Sequence, residues 1–294
     1  MFTQPELAPI SRMLTETGVT DLVINGFDSA AVLVGGSWRR VESGFTDESE
    51  VDQAARLLIS LGGRQIDMAR PFGNVDIEGK LRVHALLASA VNPKTHLSIR
   101  VHAAREVALE QLAKVGMVSI QQLELLRRIL ASGESFLISG SAGAGKTTLL
   151  RAMLVELAIE RIITIEDVAE LCLPSTDCVS LVARSANVEG RGEITLQQLL
   201  TESLRMRPDR IVVGELRGAE LLVLLQAINT GHSAAATIHA NSVSQVGQRL
   251  ESIALANSVS ADAAIRLFAN SIDWLIHISV SGARRSIEIR RNRE

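Results

Sequence analysis

The chain has 294 residues, 47% of them hydrophobic and 21% charged, with a formal net charge of −3 and a pI near 6.1. Such a length and apolar content can bury about two domain cores, while the acidic balance excludes a global basic field for nucleic acid. With no tyrosine and only 3% aromatic residues, the chain has little with which to build a base-stacking surface for single strands.

No basic stretch followed by an apolar one opens the chain, and no apolar run approaches the roughly 20 residues that a bilayer span needs. A cytosolic chain without a transmembrane segment is therefore expected. Cys172 and Cys178 stand six apart without a second pair, which rules out a four-cysteine zinc module and favours two buried thiols over a disulfide.

Residues 1–18 read as an opening helix with Pro5 and Pro9 near its start. A strand follows over 20–26. Residues 30–34 and 37–41 flank Gly35-Gly36, the pattern of a β-hairpin. A helix is predicted from Asp47, with acidic residues in its first turn, to Leu61, where Gly62-Gly63 stops it. Three further strands are expected over 74–77, 81–85 and 96–101, so residues 1–103 form a small α+β domain. Arg82 and Arg100 stand out as arginines inside apolar strands. Residues 104–118 are a helical connector, and 119–294 a second domain that opens on an amphipathic helix over 121–130.

The second domain is organised around Gly140-Ser141-Ala142-Gly143-Ala144-Gly145-Lys146-Thr147, which satisfies G-x-x-x-x-G-K-[ST] at every fixed position. An apolar run over 135–139 precedes it and reads as a buried parallel strand; helical spacing over 148–157 follows it. Its glycines let main-chain N–H groups turn inward around phosphate oxygens, and the helix N-terminus adds partial positive charge. Lys146 suits the β- and γ-phosphates and the Thr147 hydroxyl a Mg²⁺ position, with Thr148 beside them in the phosphate-binding set. A bound nucleoside triphosphate follows.

Beyond the loop, strands are predicted over 161–165, 179–183, 210–215 and 234–239, helices over 195–206 and 218–229, and a tail of two helices and two strands around Ile276 and Ile287. A Gly-rich segment, Glu189-Gly190-Arg191-Gly192-Glu193, lies between. The alternation implies a doubly wound, mainly parallel α/β sheet. In such a sheet the ends of the strands gather at one edge, which brings Glu166, Asp167, Glu170 and Glu215 to the loop. Ile211-Val212-Val213 ending in Glu215 does the geometric work of a Walker B strand, although Gly214 stands where an Asp is usual. No N-K-x-D or T-K-x-D guanine-reading motif is present.

Thr164-Ile165-Glu166-Asp167-Val168-Ala169-Glu170-Leu171 resembles the Asp box of bacterial secretion ATPases of the type II/type IV superfamily. Residues 207–218, with Gly214-Glu215, look like their atypical Walker B, and Thr230 to Ser242, with His232 and His239, like their His box. Four motifs in order over nearly the whole chain make the resemblance specific, and its nearest branch is the CpaF-like tight-adherence pilus assembly ATPases. The four-cysteine element of type II secretion ATPases is absent.

The resemblance implies a RecA-like P-loop motor domain behind the α+β domain. It also implies a cytoplasmic homo-hexamer that uses ATP and Mg²⁺ and acts on an inner-membrane platform protein to drive pilin assembly or substrate export. It assigns Glu170 as catalytic base and Glu215 as the Walker B glutamate acting through Mg²⁺ or water. His232 and His239 become the His-box pair, the latter sensing the γ-phosphate, and Arg82 and Arg100 neutralise phosphate charge. Alternatives remain for several of these: core histidines for His232 and His239, and arginines paired to surface acids for Arg82 and Arg100. Arg205, Arg207 and Arg217 serve either a neighbouring subunit's nucleotide or surface salt bridges. Two other functions compete with the motor: a nucleotide-gated module that does not hydrolyse, and a DNA translocase.

Overall fold

The computed structural model of the protein describes all residues except 1, 78–79, 90–91, 102–106, 158, 175–176, 185–190, 283 and 293–294. Glu78-Gly79, the start of the expected connector and Glu189-Gly190 of the Gly-rich segment lie outside the described residues. Two compact units emerge, one of Met1–Arg105 with Ser185–Glu193, the other of Glu106–Arg184 with Ile194–Glu294.

In the first unit a 3₁₀ turn, Pro5–Leu7, leads into α1 (Ala8–Leu14), a shorter helix than expected. The strands are β1 (Val19–Asn25), β2 (Ala30–Val34), β3 (Ser37–Val41), β4 (Phe72–Ile77), β5 (Leu81–Leu86) and β6 (His96–Val101), with α2 (Glu48–Leu61) between β3 and β4. They form an antiparallel sheet in the order β3-β2-β1-β6-β5-β4. Asp47 caps α2 by accepting from the Glu50 N–H, satisfying one of the helix's orphan donors. The stripe Val51, Ala54, Ala55, Leu58 and Ile59 follows the 3.6-residue period and joins Leu22, Ile24, Val32, Val83 and Ile99 in the core.

The second unit runs α3 (Leu109–Lys114), α4 (Ile120–Ala131), β7 (Phe136–Gly140), α5 (Lys146–Val155), β8 (Ile162–Glu166), β9 (Cys178–Val182), α6 (Leu196–Ser203), β10 (Arg210–Leu216), α7 (Glu220–Asn229), β11 (Ser233–His239), α8 (Gln245–Ala256), α9 (Ala261–Ser271), β12 (Trp274–Ser281) and β13 (Arg284–Arg291). Its sheet has the order β13-β12-β7-β11-β10-β8-β9 and is parallel except for β13, which returns antiparallel to β12. Every residue of β7 and β8 is buried, because helices cover both faces. One core holds apolar residues of α6 to α9, the other those of α3, α4 and α5. The expected connector thus contributes Leu109 and Leu112 to the second core.

Neither cysteine is part of a disulfide, and the expectation of two buried thiols is corrected: Cys172 is exposed and Cys178 half-buried. Cys172 sits with φ at 38° in the irregular segment after β8. Among the described residues no helix is long and apolar enough to cross a membrane.

Arg210, at the start of β10, is fully buried. Its Nε and Nη2 donate to Glu160 at 2.8 and 3.2 Å, and Nη2 also donates to the Leu130 carbonyl at 3.2 Å. It thereby ties the sheet to the end of α4. Removing the guanidinium leaves a cavity and strips partners from both acceptors, so Arg210→Ala should cost about 3 kcal/mol, and Arg210→Met, which keeps the volume, distinctly less. Urea denaturation in a Trp38→Phe background, where Trp274 reports on the second unit alone, checks this.

Candidate active site

The loop between β7 and α5 has Gly143 at φ 70° and Gly145 at φ 101°, left-handed conformations that a Cβ would strain. Gly145 is the N-cap residue of α5, so the first free N–H groups of that helix and the turned amides of the loop face one space. Lys146 is buried and its Nζ donates to the Gly140 and Ser141 carbonyls, each at 3.1 Å. Burial pulls its pKa below the ordinary lysine value and the charge of Arg217 adds to this, partly offset by Glu215 and Glu170. Ser141 and Thr147 are half-buried; Ala142 and Thr148 are exposed on the loop and the first helical turn.

Three neighbouring strand ends complete the edge. After β8 the chain turns so that the Thr147 hydroxyl donates to Glu170 Oε2 at 3.3 Å. From β10, Glu215 lies 3.6 Å from His239 Nε2, at the end of β11, and 2.5 Å from Arg217 Nη2. Arg217 also reaches Asp167 at 3.6 Å. Burial works against ionising Glu215, but the Arg217 hydrogen bond, with the Arg217, His239 and Lys146 charges, outweighs it and holds the carboxyl below its usual range. For His239, burial first and then Lys146 press the pKa below 6.5, against the pull of Glu215. The edge therefore presents three carboxylates, two cations, a hydroxyl and an imidazole whose pKa is lowered, around the loop.

His232 is not brought to this edge. It precedes β11, whose other end, His239, lies beside Gly140 in the parallel register. Seven residues of strand separate the two histidines by roughly 20 Å. The His232 ring engages the Ala227 carbonyl at 3.1 Å, at the C-terminal end of α7.

In the first unit, Arg82 and Arg100 stand directly opposite each other on β5 and β6, with Asp76 across from Arg82 and Asp21 across from Arg100. All four share the face away from the core, a row of acid, arginine, arginine and acid. Arg100 Nε donates to Asp21 at 2.9 Å. Of the remaining arginines, Arg205 pairs with Glu202 on the surface at 2.7 Å.

Sequence reasoning missed Arg285. From the start of β13 its Nε donates to the Ala144 carbonyl at 3.2 Å and its Nη2 to that of Gly143 at 3.5 Å. Arg285 thereby ties β13 to two carbonyls of the loop. A run of arginines in the tail carried no hint of this, because the contact spans 141 residues.

A family model for the Type II/IV secretion system protein matches residues 74–279. The chain belongs to that family. A putative conjugal transfer protein of Mycobacterium tuberculosis is 40% identical over 290 residues, 95% of this chain and 82% of that one. The type IV secretion system protein VirB11 of Bartonella quintana is 29% identical over 274 residues, 80% of this chain and 76% of its own. Among solved structures, the pilus retraction motor PilT with bound ADP matches 98% of this chain and 82% of its own with a TM-score of 0.70 at 19% identity. The VirB11 ATPase of Brucella suis matches 98% and 93% with a TM-score of 0.53 at 23% identity. These structures share the α/β architecture, with its large, mainly parallel sheet.

Two measurements probe the electrostatics and the loop. Because the folded pKa of His239 lies below its unfolded value, stability attached to the neutral ring is present above the ordinary histidine range and lost as pH falls through it. An NMR titration should place the His239 midpoint under 6.5, and Glu215→Gln should lower it further by removing the one carboxylate that raises it. Arg285→Ala should raise the KM for ATP by about three- to tenfold with kcat nearly unchanged, and Arg285→Lys should recover part of the loss.

Proposed function

We propose that this chain is an ATP-hydrolysing, Mg²⁺-dependent motor of a bacterial secretion or pilus assembly system, acting as a homo-hexamer at the cytoplasmic face of the inner membrane through a platform protein. The observation that carries the reading is the contact between the Thr147 hydroxyl and Glu170 at the mouth of the loop, beside Glu215 and His239. A phosphate loop built only to bind would have no need of two carboxylates at this place.

Loop amides from Gly140 to Thr147 and the Lys146 ammonium hold the phosphates. The oxygen donors Thr147 and Glu215 suit Mg²⁺, a hard cation that keeps several waters and needs few protein ligands. Mg²⁺ would neutralise charge on the β- and γ-phosphates. Glu170 takes the part of the base that orients the attacking water, and His239 is placed to sense the γ-phosphate. Arg82 and Arg100, side by side in the first unit, supply a double positive charge for phosphate, with Asp21 holding the Arg100 guanidinium by a hydrogen bond. Positioning and electrostatics supply nearly all of the catalysis.

The family and the naming of relatives as conjugal transfer and type IV secretion proteins support a transport role. The motif set favours the CpaF-like branch and pilin assembly. Domains over 1–103 and 119–294, joined by 104–118, would move against each other as nucleotide turns over.

Mg-ATP turnover of the purified chain against Glu170→Gln, with mass measured in solution with and without nucleotide, tests the reading. Turnover in the parent, its loss by at least about 100-fold in the variant with ATP binding retained, and a nucleotide-stabilised hexamer are expected. A monomer that binds ATP and never turns over, even with membranes added, would sink the motor and leave a nucleotide-gated module. Turnover that only DNA stimulates would point to a translocase.

A further inference from the structure

We propose that Glu166 is a positioning residue for Glu170, and that residue 214 is glycine in order to admit its side chain. The proposal rests on the reading of Glu170 as the group that acts on water. Glu166 ends β8 and is only 3% exposed. Its Oε1 accepts from the backbone N–H of both Glu170 and Leu171, each at 3.1 Å. A buried carboxylate is tolerated only with strong hydrogen bonds, and two main-chain donors on one oxygen are such a set. The side chain thus doubles back along its own chain and closes the turn that leads from strand to catalytic carboxylate.

Three further contacts make this turn a braced unit. Leu171 is fully buried in the core. Arg151 Nε donates to the Leu171 carbonyl at 2.7 Å, and its Nη2 to that of Cys172 at 3.3 Å. Arg151 stands four residues after Thr147 on α5, hence on the same helix face. One face of α5 therefore holds both ends of the segment: Thr147 the Glu170 side chain, Arg151 the backbone after it. Glu166 supplies the remaining constraint, on the N–H groups.

The glycine follows from packing. In the parallel register Val213 lies beside Ile165, which places Gly214 next to Glu166. A Cβ at 214 would come within 2.9 Å of Glu166 Cγ and 3.4 Å of its Oε1. Gly214 cannot retreat, because the Thr237 hydroxyl donates to its carbonyl from β11 at 2.6 Å. The Asp that a Walker B strand ordinarily carries at this place would collide with Glu166. The Gly-Glu pair and the glutamate of the preceding strand are two halves of one arrangement.

The test compares Glu166→Ala, Glu166→Gln and Gly214→Ala in steady-state Mg-ATP turnover, and in hydrogen–deuterium exchange of the segment 167–172. Glutamine keeps a carbonyl oxygen able to accept both N–H groups, so Glu166→Gln should stay within about threefold of the parent in kcat. Glu166→Ala should lose at least about tenfold in kcat, with KM for Mg-ATP within about threefold, because only the aim of Glu170 is disturbed. Exchange in 167–172 should quicken in the alanine variant and not in the glutamine variant. Gly214→Ala should lower kcat in the parent and add little in the Glu166→Ala background, where the colliding side chain is gone. Glu166→Gln as inactive as Glu166→Ala would overturn the proposal, since the negative charge itself would then be needed. So would parental kcat or unchanged exchange in Glu166→Ala. A parent that hydrolyses nothing would refute the reading of Glu170, while the exchange comparison would still decide whether Glu166 holds the turn.

Discussion

A buried parallel strand that must turn, through left-handed glycines, into the N-terminus of a helix is the constraint on which this molecule depends. Main-chain donors left without partners are costly, so the loop after β7 is held open by groups placed around it. Lys146 occupies the carbonyls of Gly140 and Ser141, and Arg285 those of Ala144 and Gly143. Two cations thus hold four of the loop's carbonyls in place. One of these cations belongs to the loop itself, and the other reaches it from 141 residues away.

Charge is distributed over the edge in a balanced way. Lys146 and Arg217 face Glu170, Glu215 and Asp167, and Arg217, His239 and Lys146 together hold the half-buried Glu215 ionised against its burial. Burial first, and then the Lys146 charge, press the His239 pKa below the ordinary histidine value. In the first unit the logic is simpler: register alone sets two arginines side by side, and two aspartates at the ends of the row offset their repulsion.

Much of this was legible in the sequence because it is carried by local rules. Two short strand-like runs flanking Gly35-Gly36 mark the hairpin of β2 and β3 at its observed bounds. Apolar runs bounded by turns mark β7, β8, β10 and β11, and the loop motif carries its own chemistry in eight residues. The strand-end rule brought Glu166, Asp167, Glu170 and Glu215 to one edge without coordinates, and the family resemblance added His239. It could not place His232, because a seven-residue interval says nothing about which end of a strand each histidine occupies until the strand's limits are known.

The sequence by itself determined the alternating architecture, the phosphate loop and the identity of the acids around it, because each depends on neighbours within about ten residues. Tertiary structure alone decided the rest. Arg285 meets the loop across 141 residues, and Arg210 meets Glu160 across 50. Gly214 looked like a departure from pattern until the register of β10 on β8 put Glu166 in the space its side chain would need. Contacts of that kind are set by how strands pair and helices cover them, and hydrophobic periodicity specifies those choices only collectively.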